Sequence, residues 1–163
     1  MSRLDSFIRR LEAQRSCLAA GAALTRALDG FVLELGLGNG RTYDHLRELC
    51  PGREIYVFDR EVRAHPACIP PVDHLFLGEI TETLPLALKR LDARAVLVHT
   101  DVGTGDQAGN ERLARAIAPL IRAMMRDGGI VISDQPMIAP GLAAIDLPEG
   151  VKPGRYFMSR AVA

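Results

Sequence analysis

The chain has no tryptophan and only three tyrosines and five phenylalanines in 163 residues. It therefore lacks a row of aromatic platforms on which single-stranded nucleic acid stacks. Twenty basic and twenty acidic residues cancel to a formal net charge of zero, so no overall field draws the chain to a polyanion or an anionic bilayer. No apolar run reaches the roughly 20 residues that a membrane-crossing helix needs. Met1 to Cys17 mixes charged with apolar residues, which is not the pattern of a secretion signal. Cysteine is scarce and scattered. Cys17, Cys50 and Cys68 are odd in number and form no Cys-x-x-Cys pair, which argues against a disulfide framework or zinc site and for reduced thiols in the cytoplasm.

With 48% hydrophobic and 25% charged residues, the chain has the balance of one domain, residues 1–163, with a sizeable core. Leu4, Phe7, Ile8, Leu11, Leu18 and Leu24 recur at nearly helical spacing and predict an amphipathic helix over 2–28, ended by Asp29 and Gly30. That helix carries more apolar residues than a small sheet edge covers, so self-association is expected. Phe31 to Leu35 reads as a strand, Gly36 to Gly40 as a turn, and Arg41 to Cys50 as a helix stopped by Pro51 and Gly52. Strands are predicted at 55–58, 75–77, 95–99 and 130–133. Helices are predicted at 81–91, with Pro85 in an early turn, and from a cap at Asn110 to Asp127, Gly128 and Gly129, with a kink at Pro119. Strands alternating with helices give an α/β fold with a mostly parallel sheet covered on both sides. After Ser133 the prolines and glycines leave room only for two short segments, 143–147 and 156–160, placed as an antiparallel C-terminal hairpin at one sheet edge.

The segment Glu34-Leu35-Gly36-Leu37-Gly38-Asn39-Gly40 puts glycines where a chain leaving a strand turns sharply and lets a ligand approach its backbone. Arg41 and Thr42 then open a helix, whose free amide groups suit a carboxylate. Aligned on Gly36 and Gly38, the third glycine of a dinucleotide fingerprint falls on Arg41, so that pattern fails. Glu34 offers a carboxylate at the turn for a ligand with an ammonium group. Asp59, about 20 residues beyond the glycines at the end of the next strand, is placed to hold ribose hydroxyls. His99, inside an apolar strand, reads as a core histidine rather than a base, and Asp106 as a turn former.

Glu34 to Gly40 with Asp59 resembles the first two motifs of class I, Rossmann-like S-adenosylmethionine-dependent methyltransferases. The resemblance extends to Leu77-Gly78-Glu79-Ile80, to His99-Thr100-Asp101 and to Gly128-Gly129-Ile130-Val131-Ile132, and so covers Phe31 to Asp134. The chain is also similar to a small family described as S-adenosyl-L-methionine methyltransferases of unknown substrate. The resemblance implies a three-layer sandwich, S-adenosylmethionine as cofactor and methyl transfer as the activity. By position it implies Glu34 at the methionine amino group, Gly36, Gly38, Asn39 and Gly40 shaping the loop, and Arg41 and Thr42 near the carboxylate. Asp59 and Arg60 would stand at the ribose, Gly78, Glu79 and Ile80 around the adenine, and Asp101 beside the sulfonium and the acceptor as the catalytic residue.

Neither the Asn/Asp-Pro-Pro-Tyr motif of amino-methylating nucleic-acid enzymes nor the Pro-Cys pair of cytosine C5 enzymes is present. With the neutral charge, this points to a small-molecule acceptor and away from nucleic acid and membrane partners. Asp101 with Ser133-Asp134-Gln135 is similar to the metal-dependent catechol-type arrangement, but glutamine replaces its asparagine, so no metal is assigned. Two other classes remain open to the sequence: a nucleotide-dependent oxidoreductase, NAD or NADP, on the same sheet, and a non-catalytic S-adenosylmethionine-binding protein.

Overall fold

A computed structural model of the chain describes residues 2–163. A seven-stranded sheet runs in the order β3-β2-β1-β4-β5-β7-β6. Its strands are β1 (Phe31–Leu35), β2 (Ile55–Asp59), β3 (Leu75–Leu77), β4 (Ala95–Thr100), β5 (Met125–Ser133), β6 (Leu142–Ile145) and β7 (Phe157–Ala161). The first five are parallel. β7 lies antiparallel against β5 and carries β6 antiparallel at the edge, as the hairpin expectation required.

Because β1 and β4 sit in the middle of the sheet, every residue of each is buried. Their near-continuous apolar runs follow from having helices on both faces. One face is covered by α1 (Arg3–Leu24) and α2 (Arg41–Leu49), which place Cys17, Leu18, Tyr43 and Leu46 against Val32, Val57, Leu97 and Ile132. The other is covered by α3 (Ile80–Leu91) and α4 (Gln107–Met124), where Leu84, Ala87, Ile117 and Ile121 meet Leu33, Leu35, Phe58 and Val98. The result is the predicted three-layer α/β sandwich.

Most boundaries differ from the sequence expectations by one or two residues, and the larger differences fall at the end of α1 and at the two ends of α4. The first helix stops at Leu24 instead of Leu28, with Thr25 as its cap and the Thr25 hydroxyl donating to the Gly21 carbonyl at 2.8 Å. Arg53 donates to the carbonyls of Thr25, Arg26, Leu28 and Gly30, replacing the helical bonds the connection gives up. α4 is capped by Asp106, whose carboxylate accepts from the Gly109 amide at 3.0 Å, and not by Asn110, which is buried in the first turn. α4 ends at Met124, and Gly128 and Gly129 lie inside β5 at a register shift opposite Ala95 and Leu97, not in a helix stop.

Candidate cofactor site and acceptor wall

At the carboxyl ends of the parallel strands, the glycine turn, the end of β2, the start of α3 and the segment after β4 enclose a cleft of about 400 Å³. That volume lies in the range of small-molecule sites. Of the residues singled out in the sequence, Gly36, Gly38, Asp59, Arg60, Glu79, Ile80 and Asp101 line it, joined by Val102, Gly103, Thr104, Gly109, Asn110 and Leu113. A larger groove of about 830 Å³ lies at the opposite end of the sheet and includes Arg53, Glu54 and Arg90. None of the sequence-selected residues lines it, and open parallel sheets bind ligands at the carboxyl ends of their strands.

The turn is built from two different uses of glycine. Gly40 adopts φ +87° as the cap of α2, and a Cβ there would run into the Cβ of Cys68. Gly38, at φ +50°, has open space where its Cβ would stand and lines the cleft. The Gly38 amide donates to Asp59 at 3.0 Å, and the amides of Arg60 and Glu61 donate to the other carboxylate oxygen at 2.6 and 3.4 Å. Asp59 thus joins the glycine turn to the end of β2. Asn39, Gly40, Arg41, Thr42 and Gly78 do not line the cleft.

Glu34 lies behind the turn, not in the cleft. It is fully buried, accepts from the Thr42 hydroxyl and pairs with Nδ1 of His99 at 2.7 Å; His99 is itself fully buried. Burial opposes charge on His99, but the Glu34 carboxylate, with Asp101 and Asp134 beyond, outweighs it and raises the imidazole above its ordinary value. The other ring nitrogen faces the Gln14 amide at 3.4 Å.

Gln14 leads to Asp101, which is clasped by donors from both ends of the chain. Nη2 of Arg10 reaches its two oxygens at 2.6 and 2.5 Å, Gln14 donates at 2.9 Å and the Tyr156 hydroxyl at 3.1 Å. Burial, aided by the charge of Asp101, raises the Tyr156 phenol well above its usual range, so the hydroxyl stays protonated and donates. Asp134, at the end of β5, accepts from the Gly103 amide at 3.1 Å, and its other oxygen is buried without a partner. Burial first, and Asp101 second, raise its carboxyl above the usual range. Gln135 turns away and accepts from Gln107 at 3.3 Å. Among the described residues, no three His, Cys, Asp or Glu side chains are grouped to hold a metal ion.

The sequence reading missed Arg10, Gln14 and Tyr156. Arg10, Gln14, Cys17 and Gly21 repeat at spacings of four, three and four, so polar side chains on the buried stripe of α1 were the available signal.

The family of S-adenosyl-L-methionine methyltransferases matches residues 1–161. The chain belongs to it. This methyltransferase is also similar to the crystal structure of an S-adenosyl-L-methionine methyl transferase from Silicibacter pomeroyi DSS-3, with 50% identity, 99% of each chain covered and a TM-score of 0.94. More distant likenesses share the fold. The 16S rRNA (adenine(1408)-N(1))-methyltransferase of Catenulisporales acidiphilia has 16% identity over 90% of this chain and 91% of that one, with a TM-score of 0.53. MycE of the mycinamycin biosynthetic pathway, solved with Mg and SAH, has 15% identity over 91% of this chain and 48% of that one, with a TM-score of 0.55. No curated protein matches. The enzyme uses S-adenosylmethionine, which replaces both the oxidoreductase and the non-catalytic alternatives.

Proposed function

We propose that the methyltransferase binds S-adenosylmethionine in the 400 Å³ cleft and passes the methyl group to a small-molecule acceptor arriving beside Asp101. Support comes from one juxtaposition: the open Cβ direction of Gly38, the Asp59 carboxylate fixed on its amide, and Asp101 all face the same cleft. When bound, S-adenosylmethionine supplies an electrophilic methyl group on sulfonium sulfur. Asp59 and Arg60 hold the ribose side, Glu79 and Ile80 frame the base, and Asp101 sets the reacting end through its charge. Held by Arg10, Gln14 and Tyr156, Asp101 is a rigid positioning carboxylate whose lone pairs are largely taken, so it orients more than it abstracts protons. Glu34 acts from behind by fixing Thr42 and His99.

A small acceptor fits the zero net charge and the absence of an extended basic groove with aromatic platforms. The free thiols of Cys17, Cys50 and Cys68 suit the cytoplasm. The apolar side chains left on the outside of α1 suit a homo-oligomer.

Calorimetric titration with S-adenosylhomocysteine tests the cofactor site. Wild type binds and gains melting temperature by mass action. Asp59→Ala weakens binding by about tenfold or more, as expected for loss of hydrogen bonds to a charged acceptor. Gly38→Val loses binding because the new side chain enters the open cleft, and it also loses about 1–2 kcal/mol of stability because φ +50° strains a β-branched residue. Unchanged affinity in both variants removes the cleft as the cofactor site.

A further inference from the structure

Beyond β5 the sheet carries a second groove, of about 770 Å³, that contains none of the residues assigned to the cofactor. Ser133 at the end of β5 pairs with Phe157 at the start of β7, and Ile145 at the end of β6 pairs with Met158. The groove around these positions therefore opens at the carboxyl end of the parallel strands, the same end as the cofactor cleft. Met137, Ile138, Ile145, Leu147, Phe157 and Met158 make its walls apolar, and Asp146 is the one charged residue lining it.

Two features join the groove to the reacting end of the cleft. Tyr156 lines the groove and donates to Asp101, which lines the cleft. A small pouch shares Met137 with the groove and Val102, Gly103, Asn110 and Leu113 with the cleft, and Asp134 lines that pouch. Because Thr100 pairs with Ser133, Asp101 and Asp134 leave adjacent strands side by side, but they are held differently. Asp101 has its charge met by Arg10 and its oxygens engaged by Gln14 and Tyr156. Asp134 accepts one bond, from the Gly103 amide, and its other oxygen is buried without a partner. Neither Asp134 nor Asp146 makes an ion pair among the described residues. Burial and the charge of Asp101 raise the Asp134 carboxyl, so it takes up a proton more readily than an ordinary carboxylate.

We infer that the groove is the acceptor site and that the acceptor is an apolar primary amine, its body against Ile138, Leu147 and Phe157 and its nitrogen at Asp134, where it receives the methyl group. Apolar walls hold the body by burial, and a groove whose nearby unpaired charges are all acidic takes an ammonium in preference to a carboxylate. The ammonium gives one proton to the free oxygen of Asp134. The nitrogen lone pair then forms a bond to the methyl carbon as the carbon–sulfur bond breaks with its electron pair on sulfur. S-adenosylhomocysteine and an N-methylated ammonium result, and Asp134 returns its proton to solvent. The inference rests on reading the neighbouring cleft as the cofactor site.

Four probes test it on the full chain saturated with S-adenosylhomocysteine: 2-phenylethylamine, hexylamine, 2-phenylethanol and ethylamine, each titrated by calorimetry or ligand-observed NMR. Both apolar amines are expected to bind. The alcohol and ethylamine are expected to bind about tenfold or more weakly, for loss of a charge-assisted hydrogen bond in one and of apolar burial in the other. Asp134→Asn keeps an acceptor for the Gly103 amide and is expected to bring 2-phenylethylamine down to the affinity of the alcohol. Ile138 is 76% exposed, so Ile138→Arg keeps the fold and decides the matter even if Asp134→Asn unfolds. It is expected to weaken both amines about tenfold and to leave S-adenosylhomocysteine affinity unchanged. With S-adenosylmethionine in place of its product, mass spectrometry is expected to find N-methyl-2-phenylethylamine. Undetectable binding of both amines, equal affinity for 2-phenylethylamine and 2-phenylethanol, or unaltered amine binding in either variant overturns the acceptor site. Absence of the methylated amine overturns the choice of nitrogen. Failure of S-adenosylhomocysteine itself to bind overturns instead the cofactor reading beneath it.

Discussion

Solvent is excluded from both members of the Glu34–His99 pair, so each depends on the other for compensation of its charge. Removing one partner of a buried pair leaves an uncompensated charge, and His99→Leu is expected to destabilise the fold by about 3–5 kcal/mol in urea titration. The pH dependence has a definite sign. His99 has its folded pKa raised above the ordinary histidine value of 6.5. Its contribution to stability is therefore fully present below that value and is lost as pH rises through the folded pKa. Wild type loses stability across that window, and the double variant Glu34→Gln/His99→Leu, which leaves neither charge buried, does not; parallel curves for these two proteins would show that His99 is not charged in the folded state.

Local spacing made the glycine turn and Asp59 legible in the sequence, because the turn, the next strand and the carboxylate that joins them are separated by about 20 residues of one β-α-β unit. The clasp around Asp101 was not legible in that way. Its donors come from 91 and 55 residues away, and only the folded sheet brings α1 and the residue before β7 together. Helix ends failed for a related reason. Asp106 and Asn110 are both capping types four residues apart, and the choice between them is made by burial. Asn110 is 7% exposed, accepts from the Thr104 amide and donates to the Thr104 carbonyl, both at 2.8 Å, so it staples the segment after β4 and leaves the cap to Asp106. Likewise the early stop of α1 depends on Arg53 collecting carbonyls from more than 20 residues upstream. Two substitutions separate these roles. Asp106→Ala is expected to cost about 1 kcal/mol, as for loss of an N-cap. Asn110→Ala is expected to cost about 1–3 kcal/mol, as for orphaned buried polar groups, and also to weaken S-adenosylhomocysteine binding, because the segment it staples lines the cleft. If Asp106→Ala weakens the cofactor more than Asn110→Ala does, the helix cap and not the staple holds that wall.

At the scale of the whole molecule, the sheet is closed on both faces by helices, yet α1 keeps apolar surface that the sheet does not reach. Leu4 is 65%, Phe7 47% and Ile8 44% exposed, and with half-buried Leu11 they follow the helix on a stripe displaced from Arg10 and Gln14, which turn to Asp101. Four- and three-residue spacing of leucine and isoleucine is what a second helix packs against. A twofold contact would use the same stripe on both copies, burying Leu4, Phe7 and Ile8. Light scattering coupled to size exclusion is therefore expected to return a mass above the 17.7 kDa of one chain, rising with concentration if the contact is weak. Leu4→Glu together with Ile8→Glu should return the single-chain mass without loss of thermal stability in the monomer, since neither side chain reaches the core. The double variant should also retain S-adenosylhomocysteine affinity, because the cleft is lined by one chain. A single-chain mass for wild type at high concentration would rule the assembly out, and an assembly that survives both charges would place it on another surface.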